Sequence, residues 1–244
     1  MTYPGGKAGD GVYQAIINQL PPHDRYIEGF VGAGVILRLK RPAVVSIAID
    51  VDVHVTYALD WACVPNLAVI TTPFLVWLEQ NWRTLGPRDL MYLDPPYLFS
   101  TRKSRERVYL YEMGDDKEHR RLLRHVRVLR CMVAISGYPS KLYDELLPGW
   151  RCVSYPGRTR AGWGVVENLW MNYPEPVELH DYSYLGSGYR ERERIKKKKL
   201  RWLRMLAAMP LLERRCLAAA IAEYGGSAAS GTIDGPGGVD VEKG

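Results

Sequence analysis

Met91-Tyr92-Leu93-Asp94-Pro95-Pro96-Tyr97 is a short apolar run that ends in a carboxylate, two prolines and an aromatic ring. A run of this length bounded by proline reads as a buried strand. Tandem prolines have no N–H for a sheet ladder and stiffen the backbone. Asp94 is therefore fixed at the strand's carboxyl end, with Tyr97 three residues on. In open α/β sheets that edge is where ligands bind. Spacing alone leaves two readings: a site carboxylate, or a proline-stopped strand whose Asp caps the next turn.

Toward the N-terminus, Arg25-Tyr26-Ile27-Glu28-Gly29-Phe30-Val31-Gly32-Ala33-Gly34 reads as a first strand entering a Gly-x-Gly turn, with a helix starting over 35–40. Missing side chains at Gly32 and Gly34 would let a nucleotide reach backbone amides, although the third glycine of the dinucleotide fingerprint is absent. Residues 44–50 form a second apolar run ending in Asp50, about 20 positions after the turn. There it would hold ribose hydroxyls or cap a helix over 53–62. Residues 67–72 read as a third strand, and 73–85 as a helix with Phe74, Leu75, Leu78 and Trp82 facing inward. Strand and helix alternate, which implies parallel strands with right-handed crossovers. With the first and fourth strands as neighbours, the glycine turn and Asp94 line one crevice. The N-terminal Tyr3-Pro4-Gly5-Gly6-Lys7 precedes a helix over 11–20; as a bare pattern it reads as an ordinary turn with a cation beside paired glycines.

Beyond Tyr97 a polar loop over 98–114 carries Arg102, Lys103, Arg105 and Arg107 with Tyr109 and Tyr111, a mixture suited to phosphate contact and base stacking. Asp115 and Asp116 mark the start of a helix over 117–130. A fifth strand over 131–136, a helix over 140–147 and a sixth strand over 150–155 follow. A basic hairpin loop over 158–164, with Arg158 and Arg160, leads into a seventh strand over 165–172. Composition shifts at Pro174: Pro174, Pro176, Gly186 and Gly188 mark a linker over 176–188. The segment 189–208 reads as a basic helix with Ile195, Leu200, Leu203 and Leu206 as a sparse apolar stripe. A second helix starts at Pro210 and runs to Tyr224, where Gly225 and Gly226 stop it. The expected plan is a catalytic domain over 1–175, the linker, a helical hairpin over 189–224 and a disordered Gly-rich tail over 225–244.

The chain has 244 residues, enough for a full core, and 47% hydrophobic content with seven Trp excludes a disordered chain as a whole. No apolar run is long enough for a membrane span and no signal-peptide pattern opens the chain, which makes the cytoplasm the expected compartment. Cys63, Cys131, Cys152 and Cys216 are scattered, as buried thiols in a reducing compartment would be, and the five His lack ligand spacing, so no metal site is expected. The formal charge is +6, and residues 190–201, with eight basic and two acidic side chains, account for it alone. Such a run is a solvated face or a polyanion contact, Lys197 and Lys198 being central to it.

Tyr3-Pro4-Gly5-Gly6-Lys7, Phe30-Val31-Gly32-Ala33-Gly34, Asp50 and Asp94-Pro95-Pro96-Tyr97, in this order, resemble the Dam-like (alpha-class, D12-type) N6-adenine DNA methyltransferases. The likeness covers roughly residues 1–175. It implies a Rossmann-like α/β methyltransferase sheet of seven mostly parallel strands, here followed by a C-terminal helical extension. It also implies S-adenosylmethionine as cofactor and the amine of adenine as methyl acceptor. By motif, Tyr3, Gly5, Gly6 and Lys7 would edge the methionine end of the cofactor. Glu28, Phe30, Gly32 and Gly34 would wall it, and Asp50 would hold its ribose. Asp94 and the Pro95 carbonyl would accept hydrogen bonds from the target amine, with Pro96 stiffening the turn and Tyr97 stacking on an extruded base. DNA contacts would come from Arg102, Lys103, Arg105, Arg158, Arg160, Lys197 and Lys198. The implied partner is double-stranded DNA in a bacterial or phage-infected cell; a second copy of the chain and a cognate restriction endonuclease are further candidates.

Two departures stand out. Gly29 replaces a proline common in the family before the aromatic of the first motif, which is expected to loosen the turn. The third strand runs almost directly into residues 90–97, where well-studied members place a target-recognition domain; short or relaxed sequence specificity is therefore expected. Other readings are a non-catalytic DNA-binding scaffold, a metal-dependent nuclease using Glu28, Asp50 and Asp94, and the same chemistry on cytosine N4, RNA or a protein amide.

Overall fold

The computed structural model describes residues 6–9, 11–58, 60–102, 111–158 and 164–228. Among the described residues, seven strands form one sheet: β1 Arg25–Gly29, β2 Val45–Asp50, β3 Leu67–Thr71, β4 Asp89–Leu93, β5 Met132–Gly137, β6 Arg151–Arg158 and β7 Gly164–Met171, in the order β3-β2-β1-β4-β5-β7-β6. The first five are mutually parallel, and β7 runs antiparallel to both β5 and β6. This is the Rossmann-like architecture expected. β1 and β4 are neighbours, with Gly29 opposite Leu93, so the glycine turn and Asp94 leave the sheet side by side.

Helices α1 Val12–Ile17, α2 Val35–Leu39, α3 Val53–Ala58, α4 Phe74–Asn81, α5 Asp116–Val126 and α6 Lys141–Leu146 flank the sheet. The strand period of two sends alternate side chains to two apolar layers. Ile27, Met91, Leu93, Val133 and Ile135 pack with Phe74, Trp77 and Leu78 of α4 and with Leu122, Leu123 and Val126 of α5. Tyr26, Ala48, Leu90, Tyr92, Leu169 and Met171 pack with Val12, Ile16 and Ile17 of α1 and with Ile36 and Leu37 of α2. Strands covered on both faces read as continuous apolar runs, which is why β4 is legible in the sequence.

Several expectations change. Trp82 is exposed and Trp77 takes the inward place. The α-helix ends at Asn81, and a 3-10 turn over Trp82–Thr84 alters the angular step, rotating Trp82 off the buried stripe to lie under the Arg83 guanidinium. Of the four cysteines, all free, Cys131 alone is buried; Cys63, Cys152 and Cys216 are exposed, the last on a helix with no buried face.

The stretch that reads as a linker is docked on the sheet domain. His180 N–H donates to Leu20 O at 2.9 Å, Asp181 accepts from Arg41 N–H at 2.8 Å, and Tyr184 OH donates to Leu39 O at 3.2 Å. The His180 ring stacks on His23 at 3.8 Å. Helix α7 spans Tyr189–Ala208 as expected, and α8, Leu211–Ala228, continues through Gly225 and Gly226 instead of stopping there. A glycine in a helix costs only about 1 kcal/mol, too little to end it unaided. The chain divides into two compact units, Met1–Arg192 and Glu193–Gly244. No helix among the described residues is long and apolar enough to cross a membrane.

Candidate active site

Asp94 follows the last residue of β4, and the two prolines then carry the chain over the sheet edge. Its side chain is 19% exposed, and Lys7 Nζ lies 2.8 Å from each of its oxygens. The hydroxyl of Ser136, near the end of β5, donates to Asp94 Oδ1 at 2.8 Å. Burial pushes the Asp94 carboxyl above its ordinary range, and the Lys7 ammonium pulls it back down. Lys7 also donates to Tyr97 OH at 2.6 Å, and the Tyr97 hydroxyl donates to Glu167 Oε2 at 2.8 Å. The Tyr97 ring meets Tyr138 edge-on at 4.5 Å.

Glu167 is a member of this cluster that the sequence motifs do not mark. β7 is antiparallel, so its beginning lies beside the end of β5, with Gly137 opposite Asn168, and Glu167 arrives at the same edge as Asp94. It is buried, accepts from Tyr155 OH at 3.1 Å and lies 3.2 Å from Lys7 Nζ. A readable signal exists all the same. Glu167 shares the inward face of its strand with Leu169 and Met171, and a charge on an inward face demands a partner.

The proline turn is anchored from beneath by His119 of α5. Its Nε2–H donates to Pro96 O at 3.1 Å, Nδ1 bonds the Tyr143 hydroxyl at 2.8 Å, and burial lowers the imidazole's proton affinity. Pro95 and Pro96 are themselves buried.

On the β1 side, the turn is held by its own internal bonds. Gly32 N–H donates to Asp50 Oδ2 at 2.9 Å and Gly34 N–H to Val31 O at 2.7 Å, so these two amides face inward and not toward a ligand as expected. Phe30, Gly32 and Gly34 all have positive φ, 58°, 48° and 60°. A Cβ on Gly34 would lie 2.6 Å from the Trp61 ring, so this glycine is required for close packing as well as for its backbone angle. Asp50 Oδ1 accepts from Asp52 N–H at 2.9 Å. Helix α3 is instead approached by Asp52, whose side chain accepts from His54 N–H at 2.9 Å. Phe30 packs against Phe74 at 5.2 Å. Glu28 is turned into the core, where Tyr26 OH donates to it at 2.7 Å, and burial pushes its carboxyl up to about 8. Asp50 keeps lone pairs beyond its bonds from the Gly32 and Asp52 amides and stands beside the turn with the aromatic Phe30 and Trp61, a donor set that suits the hydroxyls and ring of a nucleoside.

Of the other expected residues, Gly6 is exposed; Tyr3, Gly5, Lys103, Arg105 and Arg160 lie outside the described residues, and Arg158 ends β6. Arg102 is turned inward: its guanidinium makes a two-pronged ion pair with Glu112, at 3.1 and 2.8 Å, both side chains being 8% exposed. With Phe99 N–H bonded to Gly114 O, this pair ties the base of the 98–114 loop, a structural task in place of the phosphate contact expected. Lys197 and Lys198 are exposed on α7. Among the described residues no group of three or more His, Cys, Asp or Glu is placed to hold a metal, so Glu28, Asp50 and Asp94 do not converge.

No family model and no curated protein matches the sequence. Solved structures resemble it in chain path. SMU.776, solved with SAH, aligns at 11% identity over 66% of this chain and 47% of its own, with a TM-score of 0.43. The 23S rRNA methyltransferase ErmE aligns at 12% over 80% and 76%, TM-score 0.44. A dimethyladenosine transferase from Plasmodium falciparum aligns at 15% over 68% and 62%, TM-score 0.41. The chain thus spans about half the length of the first of these.

Proposed function

We propose that this chain is an S-adenosylmethionine-dependent DNA methyltransferase that modifies the N6 amine of adenine. The observation that carries the reading is a strand-end carboxylate that already accepts N–H donors at the sheet edge: the Lys7 ammonium lies 2.8 Å from Asp94 Oδ1 and 2.6 Å from Tyr97 OH. Asp94 therefore has the position and the lone pairs to accept N–H from an amino group delivered to this edge. Four motifs in family order, on a sheet that puts two of them at adjacent strand ends, support the same conclusion.

An aromatic amine is a poor nucleophile because its lone pair is delocalised into the ring. Acceptors on its hydrogens favour the pyramidal form, and alignment supplies much of the remaining barrier reduction. Asp94 and the Pro95 carbonyl are those acceptors, held in place by the His119 bond to Pro96. When bound, S-adenosylmethionine supplies a methyl group activated by a sulfonium; Asp50 would take its ribose hydroxyls, with the glycine turn and Phe30 beside it. The proton released by the amine passes to Asp94, already bonded to it. The target base must leave the duplex stack, and the Tyr97 ring offers a surface that offsets part of that cost. Lys197 and Lys198 and the basic run around them would meet phosphate, with loop and hairpin giving a short or relaxed target.

The test is transfer of labelled methyl to DNA by wild type and Asp94→Ala, with the product nucleoside identified. N6-methyladenine from wild type and none from the variant is expected. Cofactor binding without transfer to any DNA would redirect the acceptor to RNA or protein, and absence of cofactor binding would overturn the reading.

A further inference from the structure

The proposed reaction gives Glu167 no task, yet the fold builds a place for it. Its Oε2 gathers Tyr97 OH at 2.8 Å, Tyr155 OH at 3.1 Å and Lys7 Nζ at 3.2 Å. Across the β6–β7 hairpin, Gly157 leaves the room the carboxylate occupies: a Cβ there would stand 2.6 Å from Glu167 Oε1 and 3.0 Å from its Cδ.

Charge explains why such a place matters. Two carboxylates share one ammonium, and Lys7 and Glu167 are almost wholly shielded, at 6% and 8% side-chain exposure. Lys7 now covers both oxygens of Asp94, the lone pairs an incoming amine must use. The ammonium has to yield. Stripping a shielded charge of its counter-ion is strongly disfavoured, so it yields readily only if a second anion is within reach. Glu167 is that anion, already at ion-pair distance.

We propose that Glu167 is the second seat of the Lys7 ammonium. With the acceptor site empty, Lys7 neutralises Asp94. When the target amine arrives, Lys7 transfers its pairing to Glu167, freeing Asp94 while staying charged. Glu167 is thus a positioning residue that acts through Lys7. The identity of the entering amine rests on the methyltransferase reading above; the two-seat geometry does not.

Two experiments separate them. In the first, the full chain as wild type, Asp94→Asn, Glu167→Gln and the double variant is treated with acetic anhydride, with no cofactor or DNA present. Acetylation of Lys7 is measured by mass spectrometry against exposed Lys197. Protection is expected in wild type and in Asp94→Asn, where Glu167 still holds the ammonium, and loss of protection in the double variant. Exposure already in Asp94→Asn, or protection persisting in the double variant, would overturn the proposal. Should the double variant not fold, Gly157→Ala in the Asp94→Asn background displaces the Glu167 carboxylate by contact and is expected to unseat Lys7 likewise; continued protection there counts against it.

The second experiment is methyl transfer to DNA by Glu167→Gln with and without Lys7→Ala. A residue acting through Lys7 lowers kcat/KM in the wild-type background and has no further effect once Lys7 is gone. Equal losses in both backgrounds would mean that Glu167 merely supports Tyr97 and Tyr155, and the second seat would be dropped. If wild type transfers no methyl at all, the proposed function fails while the acetylation result still decides the seat.

Discussion

Glu28 shows how far a single buried group can bias this fold. It lies inside the sheet, and burial, with the Asp94 charge adding to it, raises its carboxyl to about 8 although Tyr26 and Lys40 act in the opposite sense. Its unfolded value is about 4.3, so folding takes up a proton across the window between the two. The contribution is full below the unfolded value and is lost as pH rises toward about 8. Urea melts from acid to mildly alkaline pH should show wild type losing stability relative to Glu28→Gln as pH rises; parallel curves would refute the assignment. Lys40, lowered to about 8 by burial, is charged in both states over most of that range and adds no slope there. Asp94 gives a second prediction. Burial raises it, and in the proposed reaction it must be ionised to accept from the amine, so the acid limb of the proposed methyl transfer should fall at a pH above the ordinary carboxylate range. A limb at an ordinary aspartate value would mean that Lys7 outweighs burial.

Where strands and helices meet, small residues decide how closely they approach. Gly29, expected from sequence to loosen the first turn, does the opposite. A Cβ there would lie 2.5 Å from Phe74 and 2.7 Å from Leu93, so the bare backbone lets α4 close onto β1 and β4. Gly29→Ala should cost about 1–3 kcal/mol in thermal or urea melts, the usual range for overpacking. Adding Phe74→Leu, which removes the clashing ring atoms, should recover part of that loss; no recovery would place the strain elsewhere. The proline turn has a comparable device in the Tyr143–His119–Pro96 chain, which ties α5 and α6 to the loop that carries Asp94.

For the chain taken entire, the boundary that matters lies later than composition suggests. The stretch with Pro174, Pro176 and Gly186 reads as a linker, yet His180 and Asp181 are buried against the sheet domain, and the first compact unit extends to Arg192. Ending the chain after Arg192 should leave the melting temperature of the sheet domain nearly unchanged. If the basic run meets DNA, the same truncation weakens binding and makes the salt slope shallower by about 0.9 for each phosphate no longer neutralised. Ending it before Val177 instead strips the His180 and Asp181 bonds and should lower the melting temperature clearly. An unaltered salt slope after the first truncation would assign the basic run to solvent or to another partner. Large apolar side chains of this second unit, among them Trp202, Leu203, Leu212 and Ile221, are exposed.

Much of this architecture is readable from local chemistry. Apolar runs of strand length closed by Gly, Pro or Asp mark strands such as β2, β4 and β5, and the alternation with helices makes the first five strands parallel through right-handed crossovers. Asp94 and Asp50 are legible because a carboxylate that ends a buried strand is costly to place there unless it holds something. Other features depend on distance in space. The pairing of Lys7 with Asp94 spans the whole first half of the sheet domain, and Glu167 joins them only because β7 inverts its direction beside β5. Arg102 looks like a free cation in sequence and is a buried ion pair in the fold, since Glu112 lies across a loop whose closure no local pattern announces. Which strands exist, where they end and which carboxylates stand at those ends are matters of primary structure, because they follow from periodicity and backbone chemistry over a few residues. Which charges share a counter-ion is a matter of the fold, because electrostatic pairing depends on separation in space, and that is known only once the sheet order and strand directions are in place.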